Sequence, residues 1–194
     1  MESSGYSVSK LFWFLLLVMC IFFGLFITAG FYMFYLKNNR VVTNESGGNI
    51  ILKYSGDYNG IIINNSSKMD DTNGIISDYY IDFSVDVKLL NAKYIDYEIV
   101  LSKDSSFLNI SDNDIRIYLE QEQNGKYVEV LSPTSYKPLN KKTKYGSKIG
   151  SMILYKDHIK SSINRNYRLR VWVSPETLLD NDYYLNISVN GKAY

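Results

Sequence analysis

The chain has 194 residues, which is long enough for one ordinary domain and a short additional segment. Its 21 basic and 20 acidic residues nearly cancel, so no strong overall field exists to attract nucleic acid. The single histidine and single cysteine exclude most metal sites built from imidazole or thiolate, and most thiol chemistry.

An uncharged run from Leu11 to Leu36 dominates the start of the chain, with Lys10 before it and Lys37 after it. As a helix rising about 1.5 Å per residue it would be roughly 39 Å long, which exceeds the ~30 Å hydrocarbon core of a bilayer. The pattern predicts a short tail over residues 1–10, then a tilted single-pass transmembrane helix over residues 11–36 that contacts the lipid bilayer.

Two other interpretations of this run are weaker. A cleavable signal peptide could end at Thr28-Ala29-Gly30, but more apolar and aromatic residues follow that site. A lipoprotein would use Cys20, but the bulky Met19 precedes it. We therefore expect an uncleaved signal anchor in the cell membrane. The flanking charges leave its orientation open, and the type of domain that follows favours an extracellular C-terminal domain.

A polar tether is predicted over residues 37–49, and a domain over residues 50–194 that alternates apolar and polar side chains. Two stretches alternate most clearly. Within Asp78–Leu90 the residues predicted to point inward are Tyr79, Ile81, Phe83, Val85, Val87 and Leu89, and within Tyr94–Leu101 they are Ile95, Tyr97, Ile99 and Leu101. Asp96 and Glu98 fall on the opposite, solvated face of the second stretch.

A hairpin is predicted around Asn124-Gly125, the dipeptide most typical of a two-residue turn between strands. Such a turn pairs Leu119 with Val130, Glu120 with Glu129 and Gln121 with Val128. Further strands are expected at Tyr167–Ser174 and Tyr183–Asn190, with shorter ones at Ile50–Tyr54, Gly60–Asn64 and Gly150–Tyr155. Seven to nine strands without a long helix predict an all-β antiparallel sandwich with immunoglobulin-like or jelly-roll connections.

The segment NYRLRVWVSPETLLDNDYYLNISVNGK, residues 166–192, resembles the closing strand pair of membrane-anchored β-sandwich surface proteins of low-GC Gram-positive bacteria. The organisation, an exported sandwich after an apolar N-terminal segment, is similar to that of the wider camelysin and biofilm-fibre group. The resemblance implies display on a bacterial surface, and in some members assembly into fibres. The absence of cysteine from residues 50–194 also favours a bacterial envelope protein over a eukaryotic secreted one.

No enzyme, cofactor or metal is expected from the residue pattern. His158 is the only imidazole, and no Gly-x-Ser-x-Gly nucleophile elbow accompanies it. Three clusters of aspartate and asparagine, at residues 70–74, 112–114 and 180–182, are typical of turns, and calcium binding there stays open. Five lysines between residues 137 and 148 indicate a solvated loop or a contact for an anionic envelope polymer, and no nucleic-acid partner is expected.

Aromatic and arginine side chains fall on the solvated side of the predicted strands. Such residues combine apolar area with hydrogen-bonding tips and suit contact with a protein or a cell-envelope glycan. The candidate binding residues are Tyr80, Tyr94, Tyr118, Tyr127, Arg168, Arg170, Trp172 and Tyr184. They predict a membrane-anchored surface protein with a non-enzymatic binding, adhesion or envelope-assembly role. The alternatives are a structural subunit of a membrane-attached complex or fibre and, less well supported, an envelope hydrolase.

Overall fold

The computed structural model describes the backbone of residues 5–44, 48–55, 61–104 and 109–194, and the side chains of residues 12–28, 61–104 and 109–194. The chain divides into two compact units, Met1–Asn38 and Asn39–Tyr194. Each unit is described separately below.

The first unit is the helix α1, Gly5–Asn38. The predicted anchor over residues 11–36 falls within it, although the side chains of residues 11 and 29–36 lie outside the described part. Thr28 donates its hydroxyl to the carbonyls of Gly24 and Leu25, 3.0 Å from each, which satisfies this polar group without interrupting the helix. Within the residues whose side chains the structure describes, which in α1 are 12–28, no helical stretch is long and apolar enough to cross a membrane.

The second unit is built from two antiparallel sheets. The larger has six strands in the order β1-β2-β4-β9-β6-β7, and the smaller has four in the order β3-β10-β5-β8. The strands are β1 Asn39–Asn44, β2 Gly48–Ser55, β3 Ile61–Ile63, β4 Ile81–Leu89, β5 Ile95–Lys103, β6 Ile115–Gln123, β7 Lys126–Ser135, β8 Met152–Ile159, β9 Ile163–Val173 and β10 Tyr183–Ala193. The fold is therefore all-β and sandwich-like.

The segment predicted as a tether, residues 37–49, contains β1 and the first residues of β2. Val41 pairs with Ile51 and Val42 with Ile50, so these β-branched residues form a ladder between the two strands. β1 was not predicted, because the segment is mostly polar and only its short Val-Val-Thr stretch has residues that favour strands.

One hydrophobic core lies between the sheets, and both contribute to it. The predicted inward positions are buried in β5, β9 and β10 and in the middle of β4, whose end residues Ile81 and Leu89 are half-buried. The buried residues are Phe83, Val85 and Val87; Ile95, Tyr97, Ile99 and Leu101; Tyr167, Leu169, Val171 and Val173; and Tyr183, Leu185, Ile187 and Val189. Tyr79 is an exception: it precedes β4, is 43% exposed, and donates its hydroxyl to the Ile62 carbonyl at 2.7 Å.

Buried phenols make hydrogen bonds inside this core. The hydroxyls of Tyr97 and Tyr167 lie 2.9 Å apart and join β5 of one sheet to β9 of the other. The Tyr136 hydroxyl lies 3.1 Å from the Leu101 carbonyl and 2.7 Å from the Gly150 carbonyl. Because these hydroxyls have partners, the aromatic rings can fill the core without the cost of an unpaired polar group.

The predicted hairpin is present between β6 and β7. Asn124 and Gly125 adopt φ angles of 53° and 76°, the left-handed conformations that a tight hairpin turn needs. Gln121 pairs with Val128 and Glu120 with Glu129, as expected. The prediction for Leu119 was wrong: it pairs with Leu131 and not with Val130, because a register shift falls between Leu119 and Glu120.

A short helix, α2 Asp71–Ile76, packs against β9 on the outer side of the six-stranded sheet. Asp70 caps it by accepting a hydrogen bond from the Asn73 backbone amide at 2.8 Å. A Cβ on Gly74 would lie only 2.3 Å from the Trp172 ring, so the helix backbone rests on the indole. One end of this outer face is therefore covered, although the alternation pattern predicted it to be solvated.

Candidate functional site

The outer face of the six-stranded sheet carries a cluster that we call the Arg168 cluster, made of Tyr80, Asp82, Tyr127 and Arg168. Asp82 and Arg168 are direct cross-strand partners in β4 and β9. The guanidinium donates two hydrogen bonds to the Asp82 carboxylate, from Nε to Oδ1 and from Nη2 to Oδ2, each 2.8 Å long. This two-point contact fixes the plane of the guanidinium.

Two tyrosine rings lie against the Arg168 guanidinium. Its central carbon is 3.8 Å from the centroid of the Tyr80 ring and 4.1 Å from that of Tyr127. Arginine stacks well on aromatic rings because its planar charge is weakly hydrated. A flat cation thus lies against two aromatic rings, one from the residue before β4 and one from β7, and the first of them, Tyr80, is 40% exposed.

The electrostatics of the cluster favour a charged Arg168 and a neutral Tyr127 near neutral pH. The hydrogen bonds that Arg168 donates to Asp82 raise the pKa of Arg168 further above its already high value. Burial raises the pKa of the Tyr127 phenol, and the nearby Asp82 carboxylate adds to this effect. The cluster therefore presents one permanent cation beside neutral phenols that can donate and accept hydrogen bonds.

Arg170 and Tyr118 lie beside this cluster but are buried. Arg170 is 9% exposed, donates from Nε to the Ser77 carbonyl at 2.8 Å, and forms an ion pair with Glu120. Tyr118 is 6% exposed, and burial raises the pKa of its phenol. The polar atoms of Arg170 and Tyr118 are used within the fold, so these two candidate residues stabilise the sheet beside the cluster.

Trp172 lies on the predicted side of β9, but α2 covers it and leaves it 1% exposed. The Trp172 indole is therefore not available to a partner, and the prediction that it is exposed was wrong. Alternation within one strand shows which way a side chain points, whereas the residues that cover Trp172 come from a segment about a hundred positions earlier.

The last two candidate residues, Tyr94 and Tyr184, belong to the four-stranded sheet. Tyr184 is half-buried on β10. Tyr94 lies just before β5, where its ring stacks on Tyr194 and contacts His158, with centroid separations of 4.8 Å in both cases. The eight candidate residues thus divide between two sheets, and they do not form one surface.

A second cluster on the four-stranded sheet was not predicted from the sequence. We call it the Asp96 cluster, and it consists of Tyr94, Asp96, Tyr145, His158 and Tyr194. Asp96 and His158 are cross-strand partners, and Oδ1 of the aspartate lies 2.6 Å from Nδ1 of the histidine. Tyr145 donates its hydroxyl to the other carboxylate oxygen at 3.1 Å. Residues of four separate segments meet here.

Glu98, two residues along β5, is fully buried although it was predicted to face solvent. The loop between β7 and β8 crosses above it, and Thr143 and Ser147 donate their hydroxyls to its Oε2 at 2.9 and 2.6 Å. Its Oε1 lies 3.2 Å from Nζ of Lys156, the cross-strand partner on β8. This last contact is an ion pair that lacks the geometry of a hydrogen bond. Sequence spacing gave no signal that this loop would fold back over the sheet.

The three aspartate and asparagine clusters make local structural contacts. Asp70 caps α2, and Asp71 accepts from Arg116, with Oδ1 2.9 Å from Nε. Asp112 forms an ion pair with Lys103, and Asp180 accepts a hydrogen bond from Tyr183. Within the part of the chain that the structure describes, no group of three or more histidine, cysteine, aspartate or glutamate residues is arranged to hold a metal ion.

The Asp96–His158 pair has the carboxylate–imidazole geometry found in hydrolases, and two tyrosines contact it. The Tyr94 ring packs beside the imidazole, and Tyr145 donates to the carboxylate. Within the residues that the structure describes, the His158 side chain contacts Asp96 and Tyr94.

Comparison of the chain with models of protein families, with curated proteins and with solved structures found no match.

Proposed function

We propose that this chain is a membrane-anchored cell-surface protein whose β-sandwich binds a protein or an envelope glycan without catalysing a reaction. The observation that carries this proposal is the Arg168 cluster, an arginine held in one orientation by Asp82 and stacked against Tyr80 and Tyr127. Tyrosine and arginine are the residue types most enriched where proteins contact partners.

The rigidity of the cluster supports a binding role. A flexible arginine loses rotamer freedom when it contacts a partner, whereas Arg168 has already lost it to Asp82 and the two rings. The tyrosine rings offer apolar area with few rotatable bonds, and their hydroxyls can bond to a protein backbone or to a sugar. The surface is therefore preformed, and its side chains lose little conformational entropy when a partner binds.

Membrane attachment is supported by the sequence. The uncharged run over residues 11–36 is longer than a bilayer core requires, and charged residues flank it on both sides. With a single-pass anchor of this kind we propose that the sandwich lies outside the cell. The resemblance of residues 166–192 to closing strands of Gram-positive surface proteins supports the same location, as well as an immunoglobulin-like or jelly-roll connection.

Location is tested by protease treatment of intact cells that express the full chain with a C-terminal tag. We expect the tag to disappear without permeabilisation. A tag that stays protected until the cells are lysed would place the sandwich in the cytoplasm and overturn the surface role.

Binding is tested with the double variant Tyr80→Ala/Tyr127→Ala, displayed on cells and mixed with labelled cells that lack the protein. We expect cell–cell association to fall at least tenfold. The matched control is Tyr184→Ala, which removes a half-buried tyrosine from the other sheet and should leave association unchanged. Protease treatment of the labelled cells then separates a protein partner, which is destroyed, from a glycan, which survives. Equal association by the double variant and the wild type would refute the role of the cluster.

A structural subunit is the second candidate, and one observation bears on it. β7, Lys126–Ser135, lies at the edge of the six-stranded sheet. An open edge can add a strand from another chain, but Pro133 and the charged Lys126 and Glu129 are residues that discourage such pairing. Assembly through this edge therefore has less support than binding through the Arg168 cluster.

A further inference from the structure

We propose that the outer face of the four-stranded sheet is a second binding surface, which takes an acidic linear polysaccharide. The surface, which we call the lysine face, combines exposed lysines with the tyrosines of the Asp96 cluster. Its lysines are Lys141, Lys142, Lys144 and Lys148 from the loop between β7 and β8, Lys156 from β8 and Lys192 from β10.

The first argument is charge. The whole chain carries a formal net charge of only +1, yet these six lysines share their face with two carboxylates, Asp96 and Glu98. Both carboxylates already accept hydrogen bonds from within the domain, Asp96 from Tyr145 and Glu98 from Ser147. Lys156 is paired with Glu98, so the excess of positive charge that is left for an anionic partner comes from the other lysines of the face.

The second argument is that the loop is fixed in place. Thr143 and Ser147 bind the buried Glu98 side chain, and Asn190 of β10 donates to the Ser147 hydroxyl at 3.2 Å. The lysines on either side of Thr143 and Ser147 are thus attached to a segment held against the sheet. A freely moving loop would lose much more entropy on binding the same anion.

The third argument is the aromatic platform among the lysines. The Tyr94 and Tyr194 rings are stacked, with centroids 4.8 Å apart and planes 19° apart, and Tyr194 remains 38% exposed. Nζ of Lys192 lies 5.2 Å from the centroid of Tyr194, and Nζ of Lys144 lies 4.6 Å from that of Tyr145. Cations beside aromatic rings suit a polymer that alternates negative groups with the flat apolar faces of sugar rings.

The choice of a polysaccharide over a nucleic acid rests on the surface location proposed above, because an extracellular domain meets acidic glycopolymers. A membrane surface is the other competitor, since the loop also exposes Ile149. Both competitors carry phosphates, and both are included in the test.

The experiment measures binding of the full-length chain, in detergent, to immobilised polygalacturonate, with neutral dextran as the uncharged probe. We expect binding to polygalacturonate alone, weakening as salt rises, because exposed charges are screened. Lys144→Gln/Lys192→Gln should lower the affinity at least tenfold. Tyr194→Ala should lower the affinity for polygalacturonate several-fold, although this variant keeps all the lysines. Lys88→Gln/Lys126→Gln removes two exposed lysines from the other sheet and should have no effect.

Several results would overturn the proposal. One is an equal loss of affinity in Lys144→Gln/Lys192→Gln and in Lys88→Gln/Lys126→Gln, and another is an absence of binding at low salt. The third is tighter binding to oligo-deoxythymidine, or to phosphatidylglycerol in mixed micelles, than to polygalacturonate. The Tyr80→Ala/Tyr127→Ala variant is measured in the same assay and should bind polygalacturonate normally. Failure of the lysine face is thereby separated from failure of the Arg168 cluster, and the protease treatment of intact cells separates both from an error in location.

Discussion

Gly74 of α2 lies directly on the indole of Trp172, so closely that a Cβ at this position would be 2.3 Å from Cε2 of the ring. The contact converts a tryptophan on the outer side of β9 into a buried one. It also explains why α2, only six residues long, stays on the sheet: the indole supplies the apolar surface that the helix covers.

Gly74→Ala should destabilise the fold by about 1–3 kcal/mol, because the added methyl group must displace either the indole or the helix. The measurement is urea unfolding of the full chain in detergent, together with tryptophan fluorescence. Gly125→Ala is the control: its Cβ would meet nothing within 4 Å, so only its φ of +76° costs free energy, about 1–2 kcal/mol. A red-shifted emission is expected for Gly74→Ala alone, and emission unchanged from the wild type would contradict the packing described.

Glu98→Ala should release the loop between β7 and β8, because Thr143 and Ser147 lose their shared acceptor and Lys156 loses its partner. Removing one member of a buried charged network typically costs about 3 kcal/mol. Trypsin digestion provides the readout, with faster cleavage expected at Lys141 to Lys148. Glu176→Ala, at an exposed position, should leave the cleavage rate unchanged. Equal rates in both variants would show that Glu98 does not hold the loop.

Alkaline pH should unfold the domain through its buried tyrosines. Burial raises the pKa of both Tyr136 and Tyr167 to about 12, from the 10.0 expected in the unfolded chain. Because the folded pKa is the higher one, the stabilisation is fully present below pH 10 and is lost as the pH rises from 10 to 12. The unfolding free energy measured across this window should fall, and phenolate absorbance should lag behind that of a tyrosine peptide.

Tyr136→Phe separates the hydrogen bonds of the Tyr136 phenol from the effect of its raised pKa. At neutral pH it should cost about 1–2 kcal/mol, because the Leu101 and Gly150 carbonyls lose a donor. Between pH 10 and 12 its unfolding free energy should fall less steeply than that of the wild type, since one titrating group is gone. A slope identical to that of the wild type would contradict the raised pKa of Tyr136.

Arg168→Lys keeps the positive charge but removes the planar guanidinium. We expect a loss of about 1 kcal/mol in unfolding free energy, because the two-point contact with Asp82 and the stacking on the tyrosines both disappear. The double variant with Tyr127→Ala supplies the control. Removing the ring should matter less once the guanidinium is gone, so the two effects should not add. Simple additivity would show that Arg168 and Tyr127 are not coupled.

The strands of the sandwich could be read from the sequence because a strand with one buried face must alternate. Val85 and Val87 in β4, and Leu185 and Ile187 in β10, lie where that alternation puts them. The Asn124-Gly125 turn likewise fixed the start of the hairpin, since these residues adopt positive φ at low cost. The predicted pairing is correct for Gln121 and Glu120 and wrong for Leu119, because a bulge leaves no clear mark in the alternation of apolar and polar residues.

The Arg168 cluster was only partly predictable. Alternation put Tyr80, Tyr127 and Arg168 on solvated faces, but the stacking depends on which strands are neighbours, and β4 and β9 are far apart in the chain. The Asp96 cluster was missed for the same reason, since Asp96, Tyr145 and His158 meet only when β5, a loop and β8 come together.

By itself, the sequence determined which way the side chains of β4, β5, β9 and β10 point, where the chain reverses at Asn124-Gly125, and that an uncharged run precedes the β domain. Those properties depend on neighbours within a few residues. Only the tertiary structure decided that Trp172 and Glu98 are buried and that Arg168 lies against two tyrosines. A residue's direction follows from local backbone geometry, but its exposure depends on what distant segment packs over it, and local spacing carries no record of that contact.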